Sequence, residues 1–168
     1  MISPPFNLQK WIEEHRHLLK PPVGNTLVFP NGDLMIMAVG GPNARKDYHI
    51  DPGPEFFYQV QGTMNLRILE NGKPKDLPIH EGEVFLLPPF VPHSPQRPTN
   101  TVGLVIERKR AENEMDGFLW ICGKCDEKLY QEDIHVSDIV NQFPKVFEHF
   151  YGSSEKTTCK KCGTVAKR

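Results

Sequence analysis

A chain of 168 residues, of which 38% are hydrophobic, can bury one core and carry a small appendage. This excludes both a disordered tail and a miniprotein. The net charge of −1 gives no overall field that would attract nucleic acid or an anionic membrane surface, so neither is expected as a partner.

The N-terminal residues predict one short amphipathic helix. Asn7 can cap it, and apolar side chains follow at helical spacing up to the stop at Pro21-Pro22. Charges and prolines interrupt the stretch, which lacks the apolar segment of a signal peptide or a membrane-spanning helix. Together with the cysteine spacing described below, this favours a reducing, cytoplasmic compartment.

Between Thr26 and Glu107 the sequence changes to short apolar or alternating runs separated by turn-forming residues. Asn71-Gly72 is a favourable two-residue hairpin turn between two of these runs. The runs are LMIMAV, EFFYQV, TMNLRIL, VFLLP and TVGLVIE. Their number and spacing predict an all-β sandwich or barrel.

The charged stretch RKRAENEMD, residues 108–116, is interpreted as a linker. It places a boundary between a β-barrel unit with the N-terminal helix, residues 1–110, and a C-terminal extension, residues 111–168. The extension contains a helical pattern from Val136 to Phe150 that Pro144 should interrupt. We expect the two parts to pack as one unit.

All four cysteines lie in the extension, as the pairs Cys122/Cys125 and Cys159/Cys162. Two thiolates three residues apart can bind one ion from a tight turn, and a second pair completes a closed tetrahedral site. The spacing predicts a structural site for a second divalent metal, zinc or iron. The alternatives are two disulfides in a secreted protein, or a zinc ribbon that binds nucleic acid, although nearby acidic residues offset the lysines that it would need.

Two stretches of the β region resemble the two motifs of the cupin superfamily, a small β-barrel that holds a metal at its mouth. Each stretch contains one histidine, and for either histidine taken alone the alternative to a metal ligand is an ordinary position in the core. The matching residues are His49, Glu55 and Gly62 in the first stretch and Gly82, Pro88 and His93 in the second.

Departures from the cupin motifs change the expected ligand set. Asp51 stands where the first motif has its second histidine, and Arg97 replaces an asparagine of the second motif. The remaining set, His49, Glu55 and His93, is the two-His, one-carboxylate set common in non-haem Fe(II) oxygenases, with positions open for substrate and O2. We expect Asp51 to lie behind the ligands or in solvent rather than to ligate.

Three charged residues fall on strands that should be apolar inside. Arg45 and Arg97 each lie four residues from a candidate ligand, so each should share a strand face with it, and Glu107 ends a predicted strand. Buried charges are costly unless paired. The three would suit a small substrate with a carboxylate for an arginine and an amino or hydroxyl group for the glutamate. For each residue alone, a solvated charge at the rim is the alternative.

The sequence resembles the 3-hydroxyanthranilate 3,4-dioxygenases that carry an added rubredoxin-like metal site. The similarity runs from about Asn7 to Cys162 and rests on PPVGN, GGPNARKDYHIDPGPEFFYQVQG, FLLPPFVPHSPQRP, LVIERKR and the two cysteine pairs. It implies a cupin barrel (a double-stranded β-helix or jelly roll), Fe(II) and a homodimer. The implied reaction opens the ring of 3-hydroxyanthranilate with O2, in tryptophan breakdown towards quinolinate and NAD.

The resemblance also implies a role for each candidate residue. His49, Glu55 and His93 would hold the iron, and Glu55 would contact the substrate as well. Arg97 and Glu107 would bind the substrate's carboxylate and its neighbouring polar groups.

Arg45 would lie beside the dioxygen site. Ala44 and the Gly53-Pro54 pair stand where this family should have other residues, which concerns the shape of the loops next to the ligands. The alternatives are another small-molecule cupin dioxygenase, for instance one that acts on thiols, and a non-catalytic cupin that only binds metal.

Overall fold

The computed structural model describes residues 4–21, 24–29 and 32–168. The predicted helix stop at Pro22 and part of the PPVGN segment lie outside these residues. The helices are α1 (Leu8–His15), α2 (Ile139–Tyr151) and α3 (Ser154–Thr157). The strands are β1 (Asn25–Leu27), β2 (Leu34–Gly40), β3 (Asn43–Ala44), β4 (Tyr48–Ile50), β5 (Glu55–Gln61), β6 (Met64–Glu70), β7 (Lys73–Ile79), β8 (Val84–Leu87), β9 (His93–Arg97), β10 (Val102–Arg108), β11 (Asp116–Ile121) and β12 (Lys128–Ile134).

In the described part of the chain the strands form two antiparallel sheets. The first has the order β1-β2-β10-β5-β8, and the second has the order β12-β11-β4-β9-β6-β7, with β3 beside β9. Side chains from both sheets meet in one buried cluster, in which Phe57 and Val105 of the first sheet join Met64, Leu66 and Ile79 of the second. The predicted all-β architecture is confirmed.

All five predicted strands are present, as β2, β5, β6, β8 and β10. The predicted hairpin joins β6 to β7, and its residues Asn71 and Gly72 have φ of 52° and 75°, as a type I′ turn requires. The sequence pattern missed strands such as β7 and β9, whose segments KPKDLPI and HSPQR show no apolar alternation. Most of β7 is exposed, and polar side chains of β9 are buried inside the barrel.

Asn7 caps α1 as predicted, because its side-chain oxygen accepts a hydrogen bond of 2.9 Å from the backbone N–H of Lys10. The α-helix ends at His15, earlier than the pattern indicated, and continues as a short 3-10 turn. Ile12 of α1 packs with Ala38 and Val102 on the outer side of the first sheet.

The C-terminal extension continues the second sheet, since β11 pairs with β4 over Leu119↔Tyr48, Phe118↔His49 and Gly117↔Ile50. The predicted interruption at Pro144 is wrong, because α2 runs through this residue. A proline removes one backbone hydrogen bond, and aromatic packing of α2 on β11 offsets that loss, with Phe150 stacked on Trp120 at 4.5 Å. The boundary after residue 110 stays a prediction.

A search of the described residues for membrane-spanning segments finds no helix with the length and apolar character needed to cross a bilayer.

Candidate active site

A cavity of about 520 Å³ lies between the two sheets, and α2 closes one side of it through Phe143, Pro144 and Phe147. The structure brings the whole set of predicted active-site residues to this cavity. They are Arg45, His49, Glu55, His93, Arg97 and Glu107.

Three of these side chains form a buried cluster with atoms that suit a metal ion. His49 and His93 are direct partners across β4 and β9, and Glu55 begins β5 in the other sheet. His93 Nε2 lies 2.9 Å from Glu55 Oε1, and His49 Nδ1 lies 3.7 Å from the same oxygen. Bonds of about 2.0–2.2 Å to one ion would put neighbouring ligand atoms about 3 Å apart, so these separations suit ligands that share an ion.

Hydrogen bonds fix which nitrogen of each ring is free. His93 Nδ1 donates to the backbone carbonyl of Val91 at 3.0 Å, and His49 Nε2 donates to Asp116 at 2.7 Å. Each ring therefore turns its unprotonated nitrogen, with its lone pair, towards Glu55. Burial opposes ionisation of Asp116, but His49 and Arg110 outweigh it and lower the pKa of Asp116, which keeps this acceptor charged.

The chemistry of the cluster fits a cation. Among the described residues Glu55 Oε1 has no hydrogen-bond partner, although it is buried beside two imidazole rings. Burial opposes its ionisation, but His93 and His49 in their protonated forms outweigh this and lower the pKa of Glu55, and a cation held between neutral rings would favour the charged carboxylate in the same way. Two imidazole lone pairs and one carboxylate facing a common point form the set that non-haem Fe(II) sites use.

Asp51 is 3% exposed and is turned towards Arg110, whose Nη2 lies 2.5 Å from its carboxylate. Oxygens of Asp51, Glu55 and Glu107 approach one another within 4.8 Å. Burial, a hydrogen bond with Glu107 and the charge of Glu55 raise the pKa of Asp51 to about 8. Arg110 binds two of the three carboxylates, so a cation already occupies this part of the cluster.

Arg110 is a residue that sequence reasoning missed. The segment 108–116 does connect β10 to β11, but at its centre the Arg110 side chain is only 1% exposed and donates to Asp51, Glu107 and Asp116. Burial opposes its charge, but these carboxylates outweigh burial and raise its pKa. A row of charged residues usually indicates a solvated loop, and no local pattern marks the one that turns inward.

Arg97 ends β9 and is 3% exposed. Its Nη1 donates to Gln59 Oε1 at 3.2 Å, its Nε has no partner, and it forms no ion pair with any described residue. Burial lowers the pKa of Arg97 to about 10, which still leaves it charged at neutral pH. The cavity thus contains a buried cation for which the described part of the chain offers no acidic partner.

Glu107 is 5% exposed, and Arg110 Nη1 donates to one of its oxygens at 2.9 Å. Burial and the neighbouring Glu55 carboxylate raise the pKa of Glu107. It lines the cavity together with Val105, two residues earlier on β10, as the alternation of side chains along a strand requires.

Arg45 lines the cavity, but it lies in the connection between β3 and β4 and not on the strand of His49 as predicted. Its Nε donates to Asp47 at 3.1 Å, and its guanidinium lies 5.9 Å and 5.8 Å from the ring centroids of Phe143 and Phe147. The sequence predicted that these two aromatic residues belong to the apolar face of a helix. It did not predict that they line the cavity, because only the packing of α2 on the barrel puts them there.

The four cysteines lie together and none forms a disulfide. Sγ atoms are 3.5 Å apart in Cys122/Cys162 and Cys125/Cys162 and 3.6 Å apart in Cys125/Cys159. Four thiolates on a tetrahedral zinc would be about 3.8 Å apart, so the cluster is close to that geometry. The disulfide alternative therefore has no support here, and these four thiols could hold one metal ion.

Two antiparallel sheets that enclose a His-His-Glu cluster define a metal-binding cupin. Protein NMB1881 from Neisseria meningitidis, a crystal structure, has a similar fold, with a TM-score of 0.50, 17% sequence identity and coverage of 62% of this chain and 99% of that one.

A family model described as 3-hydroxyanthranilic acid dioxygenase matches residues 1–151, and the chain belongs to this family. A relative from Xanthomonas campestris pv. campestris (strain B100), named 3-hydroxyanthranilate 3,4-dioxygenase, is 53% identical over 98% of this chain and 93% of its own length. One of the same name from Shewanella woodyi (strain ATCC 51908 / MS32) is 51% identical over 95% of this chain and 85% of its own length. The protein is therefore a dioxygenase.

Proposed function

We propose that the protein is an Fe(II)-dependent dioxygenase that opens the ring of 3-hydroxyanthranilate to 2-amino-3-carboxymuconate semialdehyde, in tryptophan breakdown towards quinolinate and NAD. The observation that carries this proposal is Arg97, a buried cation with no acidic partner among the described residues, at the same cavity as the His49, Glu55 and His93 cluster. The names of the relatives supply the substrate, and the cavity has the charges that this substrate needs.

Arg97 would bind the substrate's carboxylate. A guanidinium forms two parallel hydrogen bonds with a carboxylate, and such charged bonds are stronger in a water-poor site. Because no described acid neutralises Arg97, the carboxylate of the substrate meets no competitor within the protein.

Glu107 would accept a hydrogen bond from the amino or hydroxyl group next to the carboxylate. Arg110 holds one Glu107 oxygen at 2.9 Å, so the orientation of this acceptor is fixed before the substrate arrives. Because Arg97 and Glu107 both line the cavity, the two charges select an aromatic ring that bears both an acid and a donor.

His49, Glu55 and His93 would hold the iron, and Glu55 would also touch the substrate. Fe(II), when bound, supplies the open positions and the redox chemistry that join the aromatic ring to dioxygen. The residues themselves contribute fixed lone pairs, since Asp116 and the Val91 carbonyl hold the two imidazole rings.

Arg45 would lie beside the dioxygen site, next to the aromatic wall that Phe143 and Phe147 form. Apolar rings on this side exclude water from the reacting atoms. The four-Cys site, which takes no part in this chemistry, would carry zinc or iron as a structural metal, and a homodimer is the proposed assembly.

The test begins with protein prepared without oxygen and loaded with Fe(II), which is then mixed with 3-hydroxyanthranilate and air. We expect uptake of one O2 per substrate and a new absorbance from the opened semialdehyde. Metal-free protein is the control. If the iron-loaded protein consumed neither O2 nor substrate, this function would be wrong, and 2-aminophenol and small thiols would then test the other cupin dioxygenases.

A further inference from the structure

Gln59 contacts Arg97 inside the barrel. It lies on β5, is 1% exposed and follows Glu55 and Phe57 on the inward face of that strand. Its Nε2 donates to the backbone carbonyl of Gln61 at 2.8 Å, which turns its Oε1 towards Arg97 Nη1 at 3.2 Å. The side-chain amide is therefore oriented by the backbone, and its acceptor faces the arginine.

The neutrality of Gln59 is unusual for this position. A buried arginine is normally paired with a carboxylate, because an uncompensated buried charge is costly. Glutamate has nearly the shape of glutamine, so an ion pair with Arg97 would fit the same space. The chain instead has an acceptor that holds the guanidinium and leaves its charge uncompensated.

The strand next to Gln59 leaves room for this contact. Gly103 of β10 has no Cβ. A Cβ at this position would lie only 2.8 Å from Gln59 Oε1 and 2.9 Å from Arg97 Nη1. Any other residue at 103 would push the two side chains apart. The Gln59–Arg97 contact thus depends on residues from β5, β9 and β10 together.

The contact engages one nitrogen of the guanidinium. Nη1 is the atom bound to Gln59, whereas Nε is buried and has no partner among the described residues. Gln59 therefore holds the guanidinium through a neutral acceptor and leaves its charge to an acid that enters the cavity.

We propose that Gln59 sets selectivity towards a carboxylate: it contacts Arg97 through Nη1 without neutralising it, so that the guanidinium keeps its full charge for the substrate. This inference rests on the proposed function, in which Arg97 binds the carboxylate of an aromatic substrate.

The test compares Gln59→Glu with Gln59→Met on two substrates, 3-hydroxyanthranilate and 2-aminophenol, which lacks the carboxylate. In Gln59→Glu the new carboxylate pairs with Arg97, so kcat/KM for 3-hydroxyanthranilate should fall about 10- to 300-fold while that for 2-aminophenol changes less than about threefold. In Gln59→Met the arginine stays charged, so the ratio between the two substrates should stay within about threefold of the wild type. Gln61→Glu is the matched control, since Gln61 contacts Arg16 away from the cavity.

Equilibrium binding of both compounds to the iron-loaded proteins under nitrogen separates this inference from the proposed function. If the wild type binds 3-hydroxyanthranilate more tightly than 2-aminophenol and only Gln59→Glu loses that preference, the inference holds whether or not turnover follows. If Gln59→Glu and Gln59→Met weaken both compounds equally, Gln59 only packs and the inference is wrong. Should Gln59→Glu not fold, Gln59→Asp replaces it, because it places the same charge near Arg97 on a shorter side chain: the loss of the same preference supports the inference, and an unchanged preference overturns it.

Discussion

Glu55 contributes the only carboxylate of the candidate ligand set, and it reaches the two histidines from the opposite sheet. Glu55→Gln keeps the shape of the side chain and removes its charge. Loss of a partner outside the coordination sphere already lowers metal affinity about 10–100-fold, and loss of a ligand should cost more. We expect the purified variant to contain less than about a tenth of the wild-type barrel iron, as elemental analysis can measure.

Glu70→Gln is the control for this substitution, because Glu70 is exposed on β6 and pairs with Lys75. Its iron content should equal that of the wild type. Circular dichroism should show both variants folded. Full iron occupancy in Glu55→Gln would remove this residue from the ligand set.

Sequence motifs were sufficient to pick out the three side chains that meet in the buried cluster, since spacing along a strand decides which side chains face inward. They were also sufficient to suggest Arg97 and Glu107. They could not find Gln59 or Asp116, because Asp116 reaches His49 through the pairing of β11 with β4, and Gln59 meets Arg97 from another sheet. Contacts across strands depend on register, which a single sequence does not fix.

At the scale of elements, two arginines with different surroundings lie close together in the chain: Arg108 ends β10, and Arg110 lies in the connection that leads to β11. Arg110 is 1% exposed among three carboxylates, whereas Arg108 is 40% exposed and pairs with Glu114 at the surface. Arg110→Met leaves buried carboxylates without their cation, so we expect the free energy of unfolding to fall by about 3–5 kcal/mol. Arg108→Met should cause a much smaller loss, since exposed ion pairs contribute little.

Urea denaturation of both variants and the wild type measures this difference. Equal losses in the two variants would show that the buried network does not stabilise the fold. If Arg110→Met lowers the stability below what purification tolerates while Arg108→Met behaves normally, the expected order still holds.

The four-Cys site connects the β11–β12 hairpin to the C-terminus of the chain. A metal bound there at about 100 times its Kd stabilises by about 2.7 kcal/mol, which corresponds to roughly 5–11 °C in Tm for a chain of this size. Cys159→Ser should lower Tm by about this amount and keep the barrel iron, because metal binding at such a site is folding free energy. A strong chelator should lower the Tm of the wild type by removing the metal from the four-Cys site. It should have no such effect at this site in the variant, which has already lost that metal.

If Cys159→Ser kept its Tm and the metal of the four-Cys site but lost turnover, a structural role for this site would be wrong. Calorimetry and elemental analysis on the same samples decide between these results.

The α2 helix shows why part of the fold is not readable from sequence. A proline in a helical pattern is normally a boundary, yet α2 continues through Pro144 because its aromatic residues pack on β11. Similarly, β9 and β12 have too few apolar residues to indicate strands, and their neighbours in the sheet define them. Tertiary packing, in both cases, outweighs local propensity.

At the scale of the whole molecule, the second sheet runs without a break from β12 in the extension to β7 in the barrel. This continuity favours one cooperative unfolding transition for the chain. The chain has two tryptophans, Trp11 on α1 and Trp120 on β11, so Trp120→Phe and Trp11→Phe leave one reporter in each part. Fluorescence midpoints in urea should coincide for the two single-tryptophan proteins.

Separate midpoints would show that residues 1–110 and 111–168 unfold independently. The control is far-ultraviolet circular dichroism of the same samples, which follows the whole chain and should give the same midpoint as each tryptophan.

The uncompensated charge of Arg97 has a consequence for laboratory evolution of this protein. Natural proteins commonly contain residues that serve activity at the expense of stability, and a screen for heat resistance alone removes them. Apolar replacements of Arg97 would relieve a buried cation and so gain thermal tolerance, while the protein lost its affinity for an acid. Libraries selected by heat should therefore accumulate changes at this position, and a second selection on substrate would be needed to keep it.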